Sequence, residues 1–144
     1  MIQLTPSHVQ SIRQHGEADF PHECCGILVG IFGEDGAKQV REILPISNAR
    51  EEEAKRNRFL ITAEEMMRGE KLARAQGMDV IGFYHSHPDH PAKPSQFDLD
   101  HAWPIYSYII VSVMGGQSAD FTSWELDPEG EAFVSEEILE KGGE

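Results

Sequence analysis

The feature that most constrains this 144-residue sequence is a short apolar run that ends in two histidines. Residues 79–84 (Asp-Val-Ile-Gly-Phe-Tyr) are rich in β-prone side chains and predict a buried strand. Because side chains alternate between the two faces of a strand, His85 and His87 should share one face. Two imidazoles side by side at a rigid strand end predict a metal site.

A hydroxyl and a carboxylate follow a short distance along the chain. Ser95 lies eight residues after His87, and Asp98 lies three residues after Ser95. Ser-x-x-Asp is a helix-start pattern of the capping-box kind, which would hold Asp98 in a first helical turn. His85, His87 and Asp98 would then supply three protein ligands and leave a fourth zinc position for water, as in catalytic zinc sites. The predicted cofactor is therefore one catalytic Zn²⁺ per chain.

Other metal-site patterns agree less well with the sequence. Residues 85–90 also match the H-x-H-x-D-H pattern of metallo-β-lactamase-like hydrolases, but those need more ligands downstream, and only His101 follows. The Pro-Cys-x-x-Cys pair of zinc deaminases and the His-Glu-x-x-His pattern are both absent from the sequence. The combination of His-x-His with Ser-x-x-Asp is therefore preferred.

At these residues the chain resembles the JAMM metalloproteases, the catalytically competent branch of the MPN domains. The family pattern is an upstream Glu, then His-x-His-Pro, a short spacer and Ser-x-x-Asp. The matching residues here are Glu23, His85, His87, Pro88, Ser95 and Asp98. The resemblance extends to residues 23–30, similar to the family's opening strand, and to residues 58–61. The compact length is similar to that of the small prokaryotic members.

The resemblance implies a fold and an activity. The implied fold is a single α/β domain over residues 1–144, a cytidine-deaminase-like sandwich with a mixed, largely antiparallel sheet flanked by helices. The implied activity is that of a zinc metallopeptidase that hydrolyses the amide bond after a C-terminal Gly-Gly of a ubiquitin-like or sulfur-carrier protein. Glu23 would be the catalytic proton acceptor, and Ser95 would help to stabilise the oxyanion. An exposed strand edge beside the metal is expected to bind the substrate tail.

Two other functions remain open at this point. One is a general metallohydrolase of small amides or peptides. The other is a non-catalytic MPN scaffold, which is less favoured because this chain keeps every ligand residue. The adjacent Cys24 and Cys25 are expected to be small buried side chains rather than a thiol nucleophile.

Composition excludes several partners. The net charge of -13 argues against binding to nucleic acid or to an anionic membrane surface, because both require a basic footprint. The sequence has no apolar run of membrane-spanning length, and its first residues lack the pattern of a signal peptide. A cytoplasmic location is expected.

Local signals predict most of the secondary structure. The predicted helices run from a Thr5 cap to about residue 18 and over 63–76, and the predicted strands cover 25–32, 39–46, 105–114 and 119–126. The charged stretch 48–58 is expected to be a loop that contacts the substrate. Periodicity does not decide between helix and edge strand for 131–140, and 141–144 is expected to be a frayed end.

Overall fold

The computed structural model describes residues 1–46 and 61–142 of the chain. Its strands are β1 (Ile2–Leu4), β2 (Cys25–Phe32), β3 (Lys38–Ile46), β4 (Asp79–Pro88), β5 (Ser107–Met114), β6 (Gln117–Leu126), β7 (Phe133–Glu136) and β8 (Ile138–Glu140). Its helices are α1 (Pro6–Asp19), α2 (Ala63–Ala75) and α3 (Gln96–Asp100). The predicted stretch 48–58 lies outside the described residues. No helix within the described ranges is long and apolar enough to cross a membrane.

The eight strands form one mixed sheet in the order β7-β6-β5-β4-β2-β3-β1-β8. The antiparallel pairs are β2 with β3, β2 with β4, β5 with β6, and β6 with β7. The parallel pairs are β4 with β5, and β1 with both β3 and β8. The predicted α/β fold with a mixed, largely antiparallel sheet is confirmed, and β4, the strand with the two histidines, lies in the interior of the sheet.

Alternation along the central strands builds a core on each face of the sheet. On one face Leu28 and Tyr84 belong to the cluster that contains Ile12 of α1. On the other face the preceding residues, Ile27 and Phe83, pack in the cluster beneath α2. Consecutive residues of β2 and β4 are therefore buried on opposite sides, which is the reason why both strands read as continuous apolar runs.

The two long helices begin where their capping residues predict. Thr5 Oγ1 accepts a hydrogen bond from the backbone N–H of His8, and Thr62 Oγ1 accepts one from the backbone N–H of Glu65. Each cap satisfies a backbone donor that the first helical turn leaves unpaired. After α2, Gly77 adopts a φ of 71°, a conformation that glycine takes without steric cost.

The stretch that periodicity left open is neither a helix nor one simple edge strand. β7 pairs with β6 and β8 pairs with β1, with only Glu137 between the two strands. Both strands run parallel to β4. Residues 133–140 therefore form one nearly continuous extended segment whose first half is the strand at one end of the sheet and whose second half is the strand at the other end. The backbone N–H of Ile2 donates to the Glu137 carbonyl at 2.9 Å.

A buried lysine also joins the two halves of the sheet by contacting two glutamates. Lys38 of β3 is 3% exposed, and its Nζ lies 2.6 Å from Glu125 Oε2 of β6 and 3.6 Å from Glu136 Oε2 of β7. Strands far apart in the sheet order are therefore close in space. The sheet curls until its ends meet.

Candidate metal centre

β4 places both predicted histidines on one face, as alternation requires. His85 and His87 follow Phe83 on the side of the sheet that α2 covers, whereas Tyr84 and Ser86 point toward α1. Both histidines are buried, at 1% and 8% exposure. Because β4 is hydrogen-bonded to strands on both sides, the two imidazoles stand on a rigid support.

Ser95 and Asp98 form the predicted capping box at the start of α3. The backbone N–H of Asp98 donates to Ser95 Oγ at 3.1 Å, and the backbone N–H of Ser95 donates to Asp98 Oδ2 at 2.8 Å. This local pair also aims the carboxylate at the histidines. Asp98 Oδ1 lies 3.2 Å from His85 Nε2, and Asp98 Oδ2 lies 3.2 Å from His87 Nε2.

The donor atoms have the spacing that a small cation needs. The two Nε2 atoms of His85 and His87 lie 3.1 Å apart, and each is 3.2 Å from an oxygen of Asp98. Donors at about 2.0–2.2 Å from a tetrahedral zinc would be about 3.3 Å from one another. These three residues form a group of the described chain that can hold a metal ion. The donor set of two imidazoles and one carboxylate fits Zn²⁺.

The protonation states also favour metal binding. His87 Nδ1 lies 2.8 Å from the carbonyl of Pro91, an acceptor only, so Nδ1 carries the proton and Nε2 faces the other ligands. Burial lowers the pKa of His85, against the opposing effect of Asp98, and so favours the neutral ring. Burial alone would raise the pKa of Asp98, but His85, His87 and the N–H of Ser95 together hold it well below its usual range. Asp98 is therefore a carboxylate, the form that binds a metal.

Glu23 lies immediately before β2 and is buried at 4% exposure. The next residue, Cys24, is tied to β4, because its carbonyl accepts from the N–H of Ser86 at 3.1 Å and its own N–H donates to Ser86 Oγ at 2.8 Å. The ladder pairs Cys25 with His85, so Glu23, two residues before Cys25, lies at the end of β2 that is next to the histidines. The backbone of Glu23 therefore lies at the same end of the sheet as His85 and His87.

The remaining histidines and cysteines named from the sequence lie outside the donor group. His90 and His101 are exposed, and the ring of His101 stacks on Phe97 with centroids 4.1 Å apart. Cys24 and Cys25 are fully buried. Burial raises the pKa of Cys24 to about 12 and also raises that of Cys25, so both thiols stay protonated at neutral pH. The expected packing role agrees with these positions.

Comparison with known proteins gives the family. Residues 5–127 match the family described as prokaryotic homologs of the JAB domain. The chain belongs to this family. Over 126 residues it is 34% identical to the desampylase of Haloferax volcanii, and the match covers 87% of this chain and 86% of that protein. The predicted relationship to small prokaryotic JAMM/MPN proteins is confirmed.

Solved structures show the same fold. A solution structure of a protein from Salinibacter ruber is 39% identical with a TM-score of 0.76, and the match covers 98% of this chain and 92% of that one. A crystal structure of a JAB1/MPN domain protein from Archaeoglobus fulgidus is 19% identical with a TM-score of 0.52, covering 96% of this chain and 95% of that one. The second likeness concerns the fold alone.

The expected exposed strand edge beside the metal has no assigned strand in the sequence, and β4 of this JAB domain is paired with a strand on each side. Through Pro88, β4 pairs with β5, with His85 opposite Ile110 and His87 opposite Ser112. On its other side it pairs with β2 up to His85, and the N–H of Ser86 is taken by the carbonyl of Cys24. A peptide cannot add to the stretch of β4 that is paired on both sides, so the predicted binding edge remains a prediction for another part of the sheet.

Sequence reasoning did not find the groups that contact the candidate ligand residues of the JAB domain or their neighbours on β4. The carbonyl of Pro91 holds His87, but a backbone carbonyl leaves no mark in a sequence. Ser86 stood in the pattern only as the residue between two histidines. The one signal in the sequence was that Ser86 faces away from the histidines, because side chains alternate along a strand. Its hydroxyl accepts a hydrogen bond from the N–H of Cys24, next to β2.

Proposed function

We propose that this protein is a zinc-dependent metallopeptidase that hydrolyses the amide bond after the C-terminal Gly-Gly of a ubiquitin-like or sulfur-carrier protein. The observation that carries the proposal is the buried group of His85, His87 and Asp98, with donor atoms 3.1–3.2 Å apart at the end of β4. The relative named desampylase supports a ubiquitin-like protein as the substrate class.

The three ligand residues would hold the ion at a buried, charged site. Zn²⁺ bound there would act as a Lewis acid and lower the pKa of a bound water from about 15.7 to about 7. Asp98 contributes the one negative charge of the donor set, and His85 and His87 contribute neutral nitrogens. The burial of all three side chains limits access of bulk water to the reacting atoms.

Glu23 is the proposed proton acceptor. It would take the proton of the attacking water and deliver it to the leaving amine, which is general base and then general acid catalysis by one carboxylate. Its position before β2 suits this role, since the tie between Cys24 and Ser86 holds it at the same end of the sheet as the histidines. Its burial at 4% exposure keeps the carboxylate out of bulk solvent.

Ser95 is the proposed donor to the oxyanion. Its Oγ accepts the N–H of Asp98, and a hydroxyl that accepts one hydrogen bond still has its own proton to donate. The helix start therefore fixes the oxygen without consuming its donor. A donor placed in this way stabilises the negative charge that develops on the carbonyl oxygen of the scissile bond.

The first experiment tests the activity and its specificity. Purified protein of known zinc content is incubated with ubiquitin-like carriers that have extra residues after Gly-Gly, and the products are weighed by intact mass spectrometry. We expect a mass loss that ends at Gly-Gly. Because glycine has no Cβ and passes closest to a buried site, a tail with Val at the penultimate position should not be cut. Equal cleavage of Val tails or of short unstructured peptides would favour a general metallopeptidase.

The second experiment tests the ligands. The wild-type protein should contain about one zinc per chain, since three donors on rigid elements preorganise the site. His87→Ala and Asp98→Ala should lose the metal, whereas the exposed His90→Ala and His101→Ala are matched controls that should keep it. Unchanged zinc in both ligand variants would contradict the assignment. A zinc-free His90→Ala protein would instead point to the metallo-β-lactamase-like ligand set.

A further inference from the structure

The loop between β4 and α3, residues 89–95, is held by two consecutive backbone carbonyls. The carbonyl of Pro91 accepts the hydrogen bond from His87 Nδ1 at 2.8 Å. The carbonyl of Ala92 accepts one from the hydroxyl of Thr122, on β6, at 2.7 Å. Ala92 itself is 3% exposed. The Pro91 carbonyl therefore contacts a proposed ligand histidine, and the next carbonyl, that of Ala92, contacts β6, which is two strands away from β4 in the sheet.

The hydroxyl of Thr122 has a defined direction. Its single proton has two carbonyls within reach, that of Ala92 at 2.7 Å and that of Ile110 at 3.4 Å, and the shorter contact takes it. The indole Nε1–H of Trp124 donates to the same oxygen at 2.8 Å. Trp124, Thr122 and the Ala92 carbonyl therefore form one directed chain of hydrogen bonds that ends in the loop.

We propose that Thr122 is a positioning residue for the metal centre. By holding the carbonyl of Ala92 it fixes the adjacent peptide group, so that the carbonyl of Pro91 points at His87 Nδ1 and the Nε2 of that ring points at the other donors. Groups that orient a metal-ligating histidine in this way tune its affinity for the ion. This inference rests on the metal site of the proposed function.

The start of the loop is held by other hydrogen bonds, which do not involve Thr122. At its start, the backbone N–H of Asp89 donates to the carbonyl of Val113 at 2.7 Å, and Asp89 Oδ1 accepts from the N–H of Gly115 at 2.8 Å. Loss of the Thr122 hydroxyl therefore frees the part of the loop around Pro91 while the start stays in place. The expected effect falls on metal binding more than on folding.

The test compares Thr122→Val, which keeps the shape but has no hydroxyl, with Thr122→Ser, which keeps the hydroxyl. Zinc affinity is measured by competition with a chelator, and stability is measured by urea unfolding of the zinc-free proteins. Removing a group bonded directly to a ligand histidine costs roughly 10- to 100-fold in metal affinity; because Thr122 acts through the adjacent peptide, we expect Thr122→Val to weaken zinc binding by about 10-fold, the lower end of that range. Thr122→Ser should restore most of the affinity. Trp124→Phe, which leaves the Ala92 contact intact, should have a smaller effect.

A second readout follows the ring itself. In proton NMR of the zinc-free protein, the His87 Nδ1–H should be protected from exchange in the wild type and in Thr122→Ser, and exposed to exchange in Thr122→Val. Equal zinc affinity in wild type and Thr122→Val would overturn the inference alone. A loss of affinity that Thr122→Ser does not restore and that parallels a loss of stability would show a merely structural role. A wild-type protein that binds no zinc would overturn the proposed function together with this inference.

Discussion

Ser86 and Cys24 are joined by two hydrogen bonds of different kinds. The backbone N–H of Ser86 donates to the carbonyl of Cys24, while the N–H of Cys24 donates to the side-chain Oγ of Ser86 instead of to its carbonyl. A regular antiparallel pair would exchange two backbone bonds. The serine therefore lets β2 part from β4 at the metal end of the sheet while both strands stay fastened. The neighbour of the proposed proton acceptor is thus hydrogen-bonded to the residue between the two proposed histidine ligands.

Replacing Ser86 by Ala should destabilise the protein. The N–H of Cys24 would remain buried without its acceptor, which costs about 1–3 kcal/mol in free energy of unfolding. Ser107→Ala is the matched control, because Ser107 is also fully buried but its Oγ has no hydrogen-bond partner among the described residues. That variant should change stability little. Urea unfolding of the two variants checks the difference, and equal losses would contradict the role given to Ser86.

Glu23→Gln should separate metal binding from chemistry. The amide keeps the shape of the side chain but cannot accept the proton of the attacking water, so turnover should fall by at least roughly 10²-fold while zinc stays bound. Zinc analysis and carrier cleavage are measured on the same sample. His22, which immediately precedes Glu23 in the sequence, is the alternative proton acceptor, and His22→Gln is the companion variant. Near-normal cleavage by Glu23→Gln together with an inactive His22→Gln would assign the base to His22.

Ser95→Ala removes a helix cap and a proposed oxyanion donor at once, and Thr62→Ala removes only a cap. Each should lose about 1 kcal/mol of stability, the usual value for such a cap. Only Ser95→Ala should also lower turnover, by roughly 10²- to 10³-fold. Both should retain zinc, because the bond from the Ser95 N–H to Asp98 is a backbone contact. Equal turnover in the two variants would remove Ser95 from the mechanism.

Alkaline pH should destabilise the protein through Cys24. Burial raises the pKa of this thiol to about 12, whereas an unfolded cysteine ionises at about 8.5. The folded chain holds the thiol proton up to a higher pH than the unfolded chain does. The contribution of this thiol to the free energy of unfolding is therefore complete below about pH 8.5 and is lost as the pH rises toward 12. The slope from this group reaches at most about 1.4 kcal/mol per pH unit. Urea unfolding at pH 8 and pH 10 should show a smaller decline for Cys24→Ala than for wild type, and identical declines would contradict this account.

Local signals in the sequence predicted the parts of the fold that depend on neighbouring residues. Thr5 and Thr62 mark helix starts because capping is a contact over three residues. The same holds for Ser95 and Asp98, whose reciprocal bonds lie within one turn. The group of His85, His87 and Asp98 could therefore be named from spacing alone, since a strand and a capped turn fix all three directions.

The remaining features depend on contacts that spacing does not encode. β1 and β8 each have three residues, too few for a period, and they become strands through pairings distant in sequence, β1 with β3 and β8, and β8 with β1. Ile105 was expected to start β5, but it adopts a φ of 73°, which is unfavourable for a β-branched residue and which no local pattern announces. Thr122 meets Ala92 across a separation of 30 residues, so no motif could include both.

The run from Phe133 to Glu140 has a consequence for how the chain assembles. Ile2 finds its neighbour Ile138 only after nearly all of the described chain has been made, and pairings of such long separation form late and slowly. Without these pairings β1 and β6 would each present an unpaired side to other chains, the usual start of edge-to-edge aggregation. The arrival of this last segment satisfies both at once. The run from Phe133 to Glu140 therefore protects two sheet edges with a single segment.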